Sequence, residues 1–250
     1  MIFADKRVLI TGSTRGIGRD TAKAMLAAGA RVAINGRTEA RVKKTIEELG
    51  GGNMVAAPGD VSTAPSCEAL VRTAIDGLGS LDILFNNAGI YSLASVEETS
   101  ESIWDVTMDV NVKGMFFCAR ASLDALRDGG GVIINHGSNA GLSGFSGVSL
   151  YCASKGAVVN LTRAMAVEFA PKVRVNCVCP STIDNEMGWR EFNITNDPAG
   201  AYQKYKEHNL MKRMGSNDDV VSSVMFLASD QASFLSGVAL PIDGGKSATC

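Results

Sequence analysis

The chain has 250 residues, 46% of them hydrophobic, enough to bury a sizeable core without disulfide or metal staples. Lysines and arginines number 24 against 26 aspartates and glutamates, a formal charge of −2. That balance, with no block of like charge, excludes a phosphate-tracking surface for nucleic acid, which needs clustered cations.

In chain order, short apolar runs alternate with longer amphipathic ones. Strands are predicted over residues 7–11, 31–34, 54–57, 81–85, 132–135, 173–178 and 238–242. Their nearly continuous hydrophobicity, as in LDILF and GVIIN, suits strands covered on both faces. Helices are predicted between them over 17–28, 39–49, 66–78, 102–127, 150–169 and 218–228, the last opened by a capping box at Ser216–Asp219. This alternation predicts an α/β fold, a doubly wound parallel sheet with helices on both faces and a single domain over 1–250. Residues 184–214 break the rhythm, and so long a stretch without a strand is expected to be functional or mobile.

The opening MIFADKRVLITG lacks the apolar core of a signal peptide, and nowhere do 18 apolar residues run together. The six cysteines (67, 118, 152, 177, 179 and 250) form no CxxC pair and have no histidine at zinc spacing. A soluble, cytoplasmic protein with reduced cysteines, no metal and no membrane partner is expected.

Directly after the first strand comes TGSTRGIG, Thr11–Gly18, with glycines at 12, 16 and 18. Such a turn lets the backbone approach a pyrophosphate, which then meets the positive end of the following helix. The second strand ends in Asn35-Gly36-Arg37 where an acid would be needed to hold adenosine ribose hydroxyls. A guidanium there grips a 2′-phosphate through charge-assisted hydrogen bonds, with Arg15 approaching from the turn, so NADP(H) is expected to be preferred over NAD(H).

Tyr151-Cys-Ala-Ser-Lys155 opens the fifth predicted helix, and residues i and i+4 share a face. A nearby ammonium favours phenolate and is expected to lower the tyrosine pKa by about 1–3 units, giving a general acid/base near neutrality.

Together these motifs resemble the short-chain dehydrogenase/reductase family, in its roughly 250-residue one-domain Rossmann form. The match runs from Lys6 to Gly245 through Thr11–Gly18, Gly59-Asp60-Val61, Asn86–Gly89, Asn111, Ser138, Tyr151/Lys155 and Asp243–Gly245. The resemblance implies sheet order 3-2-1-4-5-6-7 and a homotetramer joined through helices 102–127 and 150–169. It implies a cofactor site formed by Gly12, Ser13, Arg15, Gly16, Ile17, Gly18, Arg37, Asp60 and Val61 at the adenosine end. Asn87, Ala88, Gly89, Tyr151, Lys155, Pro180 and Ile183 would continue that site toward the nicotinamide. Ser138 would hydrogen-bond the substrate oxygen beside Tyr151, Lys155 would hold the nicotinamide ribose, and Asn111 would seat a water in a proton relay.

Three positions depart from the family pattern. Ser181 and Asn185 stand where a glycine and a threonine are usual after the sixth strand, leaving Asn185 to supply an amide in place of the threonine. His136 ends the fifth strand at a position more often apolar, and a hydrogen-bonded role is expected for it over a pocket base. The lid, 184–214, brings Met187, Trp189, Phe192, Tyr202, Tyr205, Leu210 and Met211, with His208 at its surface. Together with Tyr91, Leu93, Leu142 and Phe145 they suggest an apolar pocket for a cyclic, aromatic or aliphatic ketone or alcohol, or else they fill core or subunit contacts.

The expected activity is hydride transfer between NADPH and a carbonyl or secondary alcohol, working as ketone reduction, with Asn111, Ser138, Tyr151 and Lys155 carrying the chemistry. The alternative is a non-enzymatic NADP(H)-sensing or scaffold protein, which would not need the proton-transfer set. Epimerases and dehydratases of related fold usually carry a longer substrate domain and a TGxxGxxG turn, and this chain has neither.

Overall fold

The seven apolar runs become seven parallel strands: β1 (Arg7–Ile10), β2 (Arg31–Ile34), β3 (Met54–Ala56), β4 (Ile83–Asn86), β5 (Val132–His136), β6 (Arg174–Pro180) and β7 (Ala239–Ile242). Their order in the sheet is β3-β2-β1-β4-β5-β6-β7, as expected. The structure is a computed structural model that describes residues 1–249, without the side chains of residues 208 and 249. Cys250 and the His208 side chain therefore lie outside the described residues.

Alternation along each strand sends side chains to opposite faces, and both faces are buried. Leu9, Ala33, Leu84, Ile133 and Val175 enter one core with α3 (Ala64–Leu78), α5 (Gly114–Gly129) and α6 (Ser149–Phe169). Val8, Ile10, Val32, Phe85 and Ile134 enter the other, with α1 (Gly16–Ala27), α2 (Glu39–Glu48) and α9 (Asn217–Ala228). Strand order reverses between β1 and β4, which places the ligand crevice at the carboxyl ends of those two strands.

The predicted capping box at α9 forms in both directions, Ser216 to the Asp219 backbone and Asp219 back to Ser216. The helix expected over 102–127 is a continuous helical run from Glu101, but not a uniform one. α4 (Glu101–Met108) passes into α5 through a π-helical turn at Asp109–Lys113, which carries Asn111. The segment 184–214, in which no strand was expected, holds two helices, α7 (Glu186–Asn193) and α8 (Pro198–His208). Asn185 and Asp197 cap them: Asn185 Oδ1 accepts from Met187 and Gly188, and Asp197 Oδ1 from Gly200. No described helix is long and apolar enough to cross a membrane.

Candidate active site

The first βα turn is built for close approach. Gly12 and Gly16 have φ of +63° and +53°, which a residue with a Cβ adopts only with strain. A Cβ on Gly18 would fall 2.4 Å from Asn87 Nδ2 and 2.6 Å from the Gly12 carbonyl. The N-terminus of α1 has no side-chain cap and no acid in its first turn, so its free N–H groups and dipole are open to an anion. A dinucleotide pyrophosphate fits that cradle.

Buried polar side chains hold the turn. Ser13 donates from Oγ to Ile10 O at 2.8 Å and accepts from Asn35 N at 2.9 Å. It is completely buried, so its side chain fixes the loop. Asn35, which the sequence reading passed over, accepts from Gly12 N at 2.9 Å and donates to Ala57 O at 2.8 Å, tying the ends of β1, β2 and β3 together. Its signal was a lone amide closing an otherwise apolar strand. Asp60 is exposed and caps a local turn by accepting from Ser62 N, while Val61 is buried.

Arg37 is exposed beyond the end of β2 and forms no ion pair among the described residues. Arg15 is engaged: its Nη1 donates to Glu186 Oε1 at 2.8 Å, linking the glycine turn to α7. Of the two guanidiniums, Arg37 is the readier for a phosphate.

A cavity of about 590 Å³ opens over the carboxyl end of the sheet, lined by Ile17 of the glycine turn, Ser138, Tyr151 and the 180–183 loop. Its size is that of a small-molecule site. Ser138 precedes a single 3₁₀ turn, Asn139–Gly141, and its Oγ accepts from Ala140 N at 3.1 Å. Burial pushes the Tyr151 phenol up to about 12, and a hydrogen bond with Ser138 pulls it the other way. Its ring meets Tyr91 edge-on at 4.8 Å.

Lys155 follows Tyr151 by one turn of α6, with Nζ 5.7 Å from the phenol ring centroid. The expected lowering of the phenol is not what results. Lys155 turns its ammonium to His136 O at 2.6 Å, and the loss of hydration around the phenol outweighs any help to its anion. Lys155 is itself pushed down to about 8 by burial.

Asn111 is buried in the π-helical turn. Its Oδ1 accepts from Ile90 N at 2.8 Å, and Nδ2 donates to Ile90 O at 3.0 Å and to Ser154 Oγ at 3.1 Å. Both of its N–H donors are thus used to hold the backbone after Gly89 against α6. A Cβ on Gly89 would lie 3.3 Å from Asn111 Oδ1 and 3.5 Å from Lys155 Nζ, so Asn111, Lys155 and the Asn87–Gly89 loop do converge.

His136 lines the cavity with its ring nitrogen Nδ1 3.0 Å from Asn87 Oδ1; burial pushes its pKa down to about 3. It is hydrogen-bonded, as expected, and too weak a base for proton abstraction near neutrality. Asn185, expected to stand in for the missing threonine, lines the cavity; its Oδ1 caps α7 and its Nδ2 donates to Asn217 Oδ1 at 2.8 Å. Pro180 and Ile183 do reach the cavity wall.

The lid side chains divide. Met187, with Tyr91, Leu93 and Phe145, lines the cavity. Trp189, Phe192, Tyr202 and Tyr205 instead pack on one another between α7 and α8, Trp189 stacked on Tyr202 at 5.0 Å and Phe192 edge-on to Tyr205 at 5.8 Å. Two short helices need a core of their own, and these four rings supply it. Leu142, Leu210 and Met211 are exposed and off the cavity wall. Three charged residues that the sequence reading missed do line it: Glu98, Glu191 and Lys246. Lys246 lies over the Tyr205 ring at 4.3 Å, and its signal was a cation directly after the Asp243–Gly245 turn. Among the described residues no cluster of His, Cys, Asp or Glu is placed to hold a metal ion.

Comparison with known proteins gives concordant matches. The family model described as enoyl-(acyl carrier protein) reductase matches residues 12–247. An uncharacterized oxidoreductase of Thermotoga maritima is 39% identical, over 99% of this chain and 100% of its own length. The meso-2,3-butanediol dehydrogenase of Serratia marcescens is 38% identical, over 100% of this chain and 97% of its own. Among solved structures, a short-chain dehydrogenase/reductase of Brucella melitensis, described as a glucose/ribitol dehydrogenase, superposes with a TM-score of 0.92 at 30% identity, covering 98% of each chain.

Proposed function

Because the chain belongs to the short-chain dehydrogenase/reductase family and is an oxidoreductase of CH–OH groups, we propose that it reduces a ketone with NADPH, using Tyr151 as the general acid. The observation that carries this reading is that Ser138 and Tyr151 line one cavity that also reaches Ile17 of the glycine turn. The cofactor, when bound, supplies the hydride; everything else falls to the protein. As charge builds on the carbonyl oxygen, the hydroxyls of Ser138 and Tyr151, both on the cavity wall, are the donors that meet it. With its pKa near 12 the phenol holds its proton at neutral pH, the state a reductase needs. Lys155, one turn behind, is charged below about pH 8 and stabilises the phenolate left after proton transfer. Asn111 acts by holding Ile90 and Ser154 in place.

A preference for NADP(H) over NAD(H) is supported by Arg37, which is exposed just beyond β2 and forms no ion pair among the described residues, leaving its guanidinium available to a 2′-phosphate. The mostly apolar cavity walls suit a ketone or secondary alcohol of moderate size, with Glu98, Glu191 and Lys246 near polar substituents. The exposed Trp104, Val106 and Phe116 of α4–α5 support a homotetramer joined through α4–α5 and α6, and the free cysteines support a cytoplasmic setting.

Incubation with NADPH deuterated at C4 and a panel of ketones tests the reading. Deuterium on the carbinol carbon is expected with at least one ketone, and slower turnover when NADH replaces NADPH. Cofactor that binds but is not consumed by any carbonyl or alcohol would favour the non-enzymatic sensor.

A further inference from the structure

His136 closes β5 beside Ser138 and lines the cavity. Its ring lies nearly parallel to Phe85, centroids 5.9 Å apart at 16°. Its protonation state follows from its neighbours. The Asn87 amide is fixed in orientation, because Nδ2 donates to the carbonyls of Thr11 at 2.9 Å and Gly12 at 3.1 Å. Asn87 Oδ1, 3.0 Å from His136 Nδ1, is therefore an acceptor, and Nδ1 must carry the proton it accepts. Burial and the nearby Lys155 charge keep the ring neutral. The second nitrogen, Nε2, is then a bare lone-pair acceptor, and the described residues offer it no donor.

The position of that acceptor narrows what can bind it. The glycine turn takes the Asn87 amide through the carbonyls of Thr11 and Gly12, Asn87 holds the His136 ring, and the His136 carbonyl takes Lys155 Nζ at 2.6 Å. The line runs from where a pyrophosphate fits to where the nicotinamide ribose is expected. A ketone has no N–H or O–H at its reacting group, whereas the nicotinamide nucleoside carries ribose hydroxyls and a carboxamide amino group. We propose that His136 is a cofactor-binding residue whose Nε2 accepts a hydrogen bond from an O–H or N–H of the nicotinamide nucleoside. The same ring then holds the glycine turn through Nδ1 and the nicotinamide half through Nε2. This inference rests on NADP(H) being the cofactor.

The test compares calorimetric binding of NADP⁺ with that of adenosine 2′,5′-bisphosphate, which lacks the nicotinamide half. His136→Phe keeps the stacking on Phe85 but loses both ring bonds; the Nδ1 loss acts on both ligands through Asn87, so NADP⁺ should weaken by about five- to tenfold more than the bisphosphate does, the size of the one further hydrogen bond lost at Nε2. Nitrogen NMR of the unaltered protein with labelled histidine removes any dependence on that variant. NADP⁺ should move the His136 Nε2 resonance upfield, and the bisphosphate should not. An Nε2 resonance unmoved by NADP⁺, or equal weakening of both ligands in His136→Phe, would overturn the inference and leave His136 as a support for Asn87. If the unaltered protein binds neither ligand, the assignment of NADP(H) fails with it.

Discussion

Lys155 is a cation placed where water cannot reach it well, and its charge sets a limit on the chemistry. Burial favours the neutral amine and brings its pKa down to about 8, while the Tyr151 phenol keeps its proton until about 12. Both groups are in the forms a reductase needs below about pH 8. As pH rises through that value Lys155 loses its charge first, so kcat/KM for NADPH-linked reduction should fall there while the phenol is still protonated. A pH profile of the reduction checks this, and a rate unchanged well above pH 8 would contradict it. At this scale the sequence made the partners legible but not the sign of their effect. The spacing of Tyr151 and Lys155 says they share a helix face. It does not say that α6 buries both against β5, and burial decides the direction of each shift. Asn185 and Asn111 show the same limit: their types are visible, but the partners of Asn111 and of the Asn185 amide N–H lie on other elements and are fixed only by the fold.

At the scale of elements, the site depends on how closely the Asn139–Gly141 turn approaches α6. A Cβ on Gly141 would lie 2.5 Å from the Lys155 carbonyl oxygen, a backbone atom that cannot rotate away. Gly141→Ala should cost about 1–3 kcal/mol of stability by overpacking and lower turnover with it. Gly144→Ala, with open space around it, should change stability by less than about 0.5 kcal/mol. Denaturant unfolding of both variants measures the difference, and equal effects would show that the turn yields. Strands and long helices were readable because their apolar residues repeat at strand or helix period over enough length. α7 and α8 were not, although Asn185 and Asp197 are ordinary N-cap residues. Each helix is short, and its apolar stripe is a single i, i+3 pair, Trp189/Phe192 in one and Tyr202/Tyr205 in the other, too little repetition to mark a helix. The packing of the two pairs on one another removes those rings from the cavity to which a sequence reading could assign them.

At the scale of the whole molecule, strand–helix alternation was enough to give a parallel sheet, and the family resemblance supplied its order. The crevice at the β1/β4 reversal then follows from topology. Assembly does not follow in the same way. Met108, Val112, Phe116, Phe117 and Leu161 line a shallow apolar groove across the π-helical turn, α5 and α6. Trp104 and Phe116 stand 48% and 40% exposed beside it. Phe116→Asp places a charge on this face without opening the core, so the fold should persist while the proposed tetramer separates into smaller species. Light scattering after size exclusion reads the mass directly, and a wild-type chain running as a monomer would refute the assembly.

The central claim is that the Tyr151 phenol delivers the proton, and Tyr151→Phe examined by stopped flow tests it most directly. The variant keeps the ring and its edge-on contact with Tyr91 and loses only the hydroxyl. The account predicts that NADPH still binds with its usual affinity while kcat for ketone reduction falls by at least about a hundredfold. A Tyr151→Phe enzyme that turns over near the wild-type rate would contradict it.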